Sequence, residues 1–425
     1  MVIETLLTTR AARLTRRYLA FEQAGRHDQP VPDANTQYLL YIHIPFCEEL
    51  CPFCSFTRVR FDADLAKTFF AALKTEIRVC HDRGFRFGDV YIGGGTPTII
   101  PAELAEVVSL VRSFWPISQL SVETNPSHLV GDTLAVLRDI GTNRLSVGVQ
   151  SFDNAILEDM RYRHKYGSSE TIRQKLAAVI GAFDTVNVDM IFNFSGQTEK
   201  TLAADIRIVN ELGVDQVTWY PLMLSETKKR LLVEGRGRFD YVRERRLYEM
   251  IVDGLAGAYR QESVWCYSKR AGLIDEYPVT HEQYLGVGPG ALSYLGGNLC
   301  INAFLIPEYV HAVNDRGSSL ASIRRFSPAE QLRFDLLLKL LGGTADIRAM
   351  REKHGRFWRV LWPEITFLLA ARAATLRDGR LTLTRKGRYY WLTVMRTLLS
   401  MLGEYRDSRA GTIGSDKPTS AGILR

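Results

Sequence analysis

The chain has 425 residues, 46% of them apolar and 24% charged, which is the balance of a folded protein with a sizeable core, not of a disordered or fibrous chain. A net charge of +7 permits an acidic partner but, with the basic residues scattered and no zinc-finger or aromatic-and-basic RNA signature, makes nucleic acid an unexpected one. No run nears the roughly 18 apolar residues of a membrane helix, and six unevenly spaced cysteines make no disulfide framework, so a reducing compartment, the cytoplasm, is expected.

The N-terminal stretch "MVIETLLTTRAARLTRRYLAFEQ" carries Glu4 early and has neither an apolar core nor a cleavage site. It is not read as a signal peptide. A helical arm over 1–36 is expected, with Arg10, Arg13, Arg16 and Arg17 on one solvated side. From Tyr38 the pattern alternates between short β-rich runs and amphipathic ones. Strands are expected at Tyr38–Ile44, Asp89–Ile92, Gln119–Glu123, Arg144–Val149, Val186–Phe192 and Asp215–Tyr220. Between them, Leu65, Phe69, Leu73, Ile77 and Cys80 share one helical face, Pro101 suits a first turn and Gly141 a C-cap. Six strand–helix units in a row call for parallel strands with right-handed crossovers. A partial (β/α)6 TIM-like barrel and an open doubly wound sheet both fit, with the core over 37–225 and its chemistry at the strand ends.

Residues 226–310 read as an extension holding the glycine-rich "YLGVGPGALSYLGG". A C-terminal piece over 311–405 has Ser327, Pro328 and Glu330 set as a capping box. "RLTLTRKGRYY" reads as a β-wing. The piece is therefore expected to be a small winged-helix-like α+β domain serving as lid or scaffold. Residues 406–425 are expected to be a disordered tail. Cys80, Cys266 and Cys300 are each isolated among apolar neighbours and are read as buried thiols.

The remaining three cysteines, Cys47, Cys51 and Cys54, lie in "YIHIPFCEELCPFCSF" with spacing C-x3-C-x2-C. A structural zinc site wants four protein ligands, and a disulfide would leave one thiol odd. An iron–sulfur cube normally takes four thiolates, so three leave one iron open for a small chelating molecule. Four further motifs sit at expected strand ends: "YIGGGTPT" with Gly93–Thr98, "SVETNP" with Glu123, "RLSVGVQSF" with Gln150, and "VNVDMIFNFSGQT" with Asp189. Glycines let a backbone approach a ligand closely, and a buried strand acid such as Asp189 needs a partner.

The C-x3-C-x2-C motif, with Phe53 directly before its third cysteine, resembles that of the radical S-adenosylmethionine (SAM) enzymes. "YIHIPFC", "GGGTPT", "SVGVQSF" and "YLGVGPGALS" resemble, within that superfamily, the oxygen-independent coproporphyrinogen III oxidase group. The resemblance runs from about Tyr38 to Leu399. It implies a radical SAM barrel with a [4Fe–4S] cluster on Cys47, Cys51 and Cys54. One SAM would lie near Tyr41, Gly94 and Glu123, and a second, if bound, near Phe53, Gly95, Thr96, Gln150 and Asp189. A 5′-deoxyadenosyl radical would then drive oxidative decarboxylation of a porphyrinogen. The substrate would be a carboxylated tetrapyrrole, with the N-terminal arginines as candidates to meet its carboxylates. The reductant would be a flavodoxin or ferredoxin.

The pattern has departures. The oxidases carry a cysteine two residues after the third, where this chain has Phe56. Their arginine about twelve residues after Gln150 is replaced by Tyr162, between Arg161 and Arg163. Relatives methylate tetrapyrroles or heterocycles, or carry haem. The haem chaperones have an H-N-x-x-Y-W segment where this chain reads "VTHEQYLGVGPGA". A methyltransferase, a haem-binding chaperone and a zinc-stabilised structural protein are the alternative expectations.

Overall fold

The computed structural model describes residues 2–226, 228, 239–271 and 277–409. Its centre is a run of six parallel strands in chain order: β1 (Tyr38–Ile44), β2 (Phe87–Gly94), β3 (Gln119–Thr124), β4 (Arg144–Gln150), β5 (Thr185–Phe192) and β6 (Gln216–Pro221). The register sets Tyr41 beside Tyr91, Glu123 beside Ser146, and Asp189 beside Gly148 and Thr218. With side chains alternating between faces, one face carries Tyr41, His43, Tyr91, Glu123, Ser146, Asn187, Asp189 and Thr218. The other carries Leu40, Ile42, Val90, Val122, Leu145, Val147, Val188 and Val217, all buried. The polar row faces into the partial barrel and the apolar row lies under the helices, which is why the strands read as half-apolar runs.

The helices form where the sequence supplies their ends. Asp62 caps Ala63–Asp82 by accepting from Leu65 N at 2.8 Å. Pro101 opens Pro101–Phe114. Thr198 caps Glu199–Leu212, and Gly213 closes it in the left-handed region at φ +63°, where a side chain would be strained.

The sheet does not stop at six strands. β7 (Cys266–Ser268) adds antiparallel to β6. On the other edge β8 (Tyr284–Val287), from the glycine-rich segment, pairs parallel to β1 with Gly286 beside Tyr41. β9 (Leu292–Leu295), β10 (Asn298–Asn302) and β11 (Leu320–Arg325) follow antiparallel. With the two-residue edge strands Arg260–Gln261 beside β7 and Glu22–Gln23 beside β11, the described residues form a 13-stranded sheet that remains open. Residues 320–325 belong to it, and not to the helix-and-wing piece, which begins at Pro328 after the expected Ser327–Glu330 capping box.

That piece holds helices Pro328–Leu341, Ile347–His354 and Trp362–Ala370. Its three-stranded sheet is formed by Thr344–Asp346, Arg380–Leu383 and Ala374–Arg377. This is the order of a winged helix. The expected wing "RLTLTRKGRYY" is only half a wing: its first part is the strand Arg380–Leu383. From Arg385 the chain is the helix Arg385–Arg409, which runs through both Gly387 and Gly403. The first four residues of the expected tail are therefore helical, and 410–425 lie outside the described residues. The N-terminal helix Val2–Tyr18 packs along this long helix. Arg10, Arg13, Arg16 and Arg17 are exposed on it, Arg10 pairing with Glu364 at 3.3 Å. Cys80, Cys266 and Cys300 are buried, as expected.

Candidate functional site

The three cysteines follow directly on β1. All are free; Cys47 is buried, and Cys51 and Cys54 are half-buried. Burial, and next the neighbouring Cys54, push the Cys47 thiol up to about 11 and the Cys51 thiol up to about 12. Such thiols keep their protons at neutral pH unless a cation displaces them. The loop is tethered from three sides. Thr96 Oγ1 lies 3.9 Å from Cys47 Sγ, His128 Nε2 lies 3.2 Å from Glu48 Oε1, and Lys165 Nζ donates to Glu49 O at 3.1 Å.

Gly93–Thr96 lies against the same loop. Gly95 N donates to Ile44 O and Thr96 N to Phe46 O, each at 2.8 Å. A Cβ on Gly95 would lie 2.5 Å from Phe46 O. One on Gly94, at φ +124°, would lie 2.7 Å from Ile44 O. Sequence reasoning explains these glycines by the approach of a ligand. In the structure the approaching backbone is the chain's own cysteine loop, and that packing alone demands them. Glu123 completes the corner: it accepts from Tyr91 Oη at 2.8 Å and from Gly94 N at 3.1 Å.

Tyr41 Oη lies 2.9 Å from His43 Nδ1, and His43 Nε2 lies 2.7 Å from Thr57 O. A carbonyl can only accept, so His43 carries its proton on Nε2 and accepts from Tyr41. Burial pushes His43 down to about 4, so it is neutral at pH 7. This residue is absent from the sequence-based set, although its period-2 spacing from Tyr41 in "YIHIPFC" marks it. Tyr277 is a second addition, stacked on Tyr41 with ring centroids 5.4 Å apart. No local pattern signals it.

The other expected residues gather on the far side of the loop. Gln150 takes the left-handed conformation at φ +73° and donates to Tyr162 Oη at 3.0 Å, which donates to Gly148 O at 3.3 Å. Phe53 lies 6.2 Å from the Tyr162 ring. Tyr162 is buried, while Arg161 and Arg163 are exposed. Asp189 accepts from Ser146 Oγ at 2.8 Å and Asn187 Nδ2 at 2.9 Å, which are the partners a strand acid needs.

The segment after Gln150 is pinned by buried Asp205, which accepts from Ser151 Oγ and Phe152 N, each at 2.8 Å. Burial pushes its carboxyl up to about 7, against an ordinary value near 4. Between those values the native chain holds a proton that the unfolded chain has lost, so stability falls as pH rises from about 4 to about 7. The full cost above that range is up to about 4 kcal/mol. Asp205→Asn keeps the bond from Phe152 N on its oxygen, donates to Ser151 Oγ through its amide, and removes the titration. Urea midpoints of the variant are expected to be flat where those of the wild type decline; equal slopes would show that Asp205 is not the titrating group.

The donor set fits an iron–sulfur cluster better than one zinc ion. Cys47, Cys51 and Cys54 are three thiols on one short loop, and a cube spreads its thiolates over separate irons. Ser55 Oγ, Thr57 Oγ1 and Arg58 Nε, just past Cys54, are buried without a hydrogen-bond partner, Ser55 lying under Gly403 and Thr57 against Gly290. Among the described residues no helix is long and apolar enough to cross a membrane.

Comparison with known proteins agrees with this geometry. The family model of the radical SAM superfamily matches residues 41–209. The haem chaperone HemW of Bacillus subtilis is 30% identical over 348 residues, spanning 78% of this chain and 91% of that protein. The oxygen-independent coproporphyrinogen III oxidase of Salmonella typhimurium is 27% identical over 383 residues, spanning 82% and 80%. The solved structure of coproporphyrinogen III oxidase from Escherichia coli superposes with a TM-score of 0.75 at 21% identity, over 91% of this chain and 95% of that one. Shared sequence along most of the chain, on a shared fold, places the protein in the radical SAM superfamily, in the coproporphyrinogen III oxidase-like family that also holds the haem chaperones.

Proposed function

We propose that this protein is a radical SAM enzyme that acts on a carboxylated tetrapyrrole, with oxidative decarboxylation of a coproporphyrinogen as the reaction. The observation that carries the reading is the joining of the three-cysteine loop to the Gly93–Thr96 loop and Glu123 at one barrel mouth. Coproporphyrinogen and haem, in the relatives' names, share the tetrapyrrole. Cys47, Cys51 and Cys54 would hold a [4Fe–4S] cluster, and Tyr41, Gly94 and Glu123 the cofactor. Together cluster and SAM supply the one-electron cleavage that makes a carbon radical. The chain's part is positional: Glu123 fixes the glycine loop against the cysteine loop, neutral His43 fixes Tyr41, and the long C-terminal helix covers Ser55. A cytoplasmic location and a flavodoxin or ferredoxin as electron donor accord with low-potential chemistry on free thiols.

A second reading, a haem-binding chaperone, is favoured by two observations. Tyr162 and Gln150 bond to each other where a second SAM would sit in an oxidase, and the HemW relative is 30% identical. Anaerobic reconstitution with SAM, a strong reductant and coproporphyrinogen III, followed by mass spectrometry, separates the readings. Loss of CO2 with 5′-deoxyadenosine supports the oxidase reading. Deoxyadenosine without decarboxylation sinks this substrate, and S-adenosylhomocysteine points to methyl transfer. Stoichiometric haem binding without SAM cleavage sinks the enzyme reading.

A further inference from the structure

The helix Arg385–Arg409 ends at the barrel mouth. Gly403 is pressed on the cysteine loop, where a Cβ would lie 2.9 Å from Ser55 Cβ. Asp407 accepts from Ser225 Oγ at 2.6 Å and pairs with Lys228 Nζ at 2.9 Å. Between these two anchors stands Arg406. Its guanidinium lies 5.6 Å from the Phe56 ring centroid. Its charge reaches Tyr41, His43, Tyr277 and Tyr284, and Cys54 faces it in turn.

Arg406 is half-buried yet makes no ion pair or hydrogen bond among the described residues, since the adjacent carboxylate of Asp407 is taken by Ser225 and Lys228. Burial raises Tyr41 and Tyr277 and lowers His43, so these neighbours are neutral; Cys54 and Asp407 are the groups whose charge favours that of Arg406, and Asp407 is already engaged by Ser225 and Lys228. A cation that has given up part of its hydration without a counter-ion is costly. Its planar fork suits a carboxylate held by two parallel hydrogen bonds.

Resting on the reading of this mouth as a tetrapyrrole site, we propose that Arg406 is a substrate-binding residue that receives one carboxylate of the macrocycle. A cluster on Cys47, Cys51 and Cys54 would leave one iron open to a chelating carboxylate such as that of SAM, and Arg406 would then meet a carboxylate of the substrate. The exposed arginines of the N-terminal helix are not needed for this role. Because Arg406 lies between Gly403 and Asp407, the same helix that covers the cysteine loop also reads the substrate's charge.

The test is equilibrium binding, not turnover. Reconstituted wild type, Arg406→Gln and Arg406→Lys are titrated anaerobically with coproporphyrin III, with its uncharged tetramethyl ester, and with SAM. Iron content and thermal midpoint serve as folding controls. Arg406→Gln is expected to weaken coproporphyrin III by at least about tenfold, leave the ester and SAM within about twofold, and be partly rescued by lysine. Weakened SAM with unchanged porphyrin would overturn the substrate assignment in favour of the cofactor's carboxylate. Unchanged affinity for both would overturn the proposal while leaving the tetrapyrrole reading intact. Failure of the wild type to bind either porphyrin would overturn both.

Discussion

Cys51→Ala is expected to give a folded, colourless protein. Cys51 is only half-buried and sits in a loop held by Thr96, His128 and Lys165 rather than by its own thiol. Its loss therefore opens little cavity and leaves the fold in place. The loss to the site is near total. A cube already one thiolate short of four would keep only two protein ligands, and each missing thiolate exposes another iron to solvent. Iron after reconstitution is expected to fall from about four per chain to below about one, with SAM cleavage at background and a thermal midpoint close to that of the wild type. Cys47→Ala is a poorer probe, because Cys47 is buried and its removal adds a packing defect. A Cys51→Ala protein that kept its full cluster would remove Cys51 from the ligand set.

Gly95→Ala is the second large effect, and it separates two accounts of the glycine loop. If Gly95 is glycine only to admit a ligand, alanine weakens SAM binding and leaves the cluster intact. The geometry says otherwise. The new Cβ would sit 2.5 Å from Phe46 O and 2.9 Å from Pro45 C, both backbone atoms, so no side chain can swing aside. The strain falls on the turn leading into Cys47. A backbone clash of this kind costs roughly 3 kcal/mol, and relieving it moves the cysteine loop. The expected outcome is a lower thermal midpoint together with reduced iron in the variant as purified. Full iron content with only SAM affinity reduced would favour the ligand account.

Both predictions turn on what is local in the chain and what is not. The three cysteines were legible because cluster ligation needs thiolates at short, fixed spacing on one loop. Glu123, Gln150 and Asp189 were legible because strand periodicity and a following loop mark a strand's end. His43 is equally legible by alternation with Tyr41. Tyr162 was visible as a departure, but its bond to Gln150 was not, since a helix break between them decides which side chain turns inward.

The sequence alone determined the strand–helix alternation, the helix caps, the cysteine loop and the family, because each rests on residues within a turn or two of one another. Tertiary structure decided the rest. The seventh parallel strand comes from residues 284–287 pairing with a strand some 240 positions earlier, and no spacing rule reaches that far. Why Gly94 and Gly95 must be glycine depends on a backbone that only folding brings within 3 Å. Arg406 falls in the stretch that the sequence reads as a disordered tail. It becomes an unpaired cation at the barrel mouth only because Gly403 lets that helix settle on Ser55 and Asp407 is already held by Ser225 and Lys228.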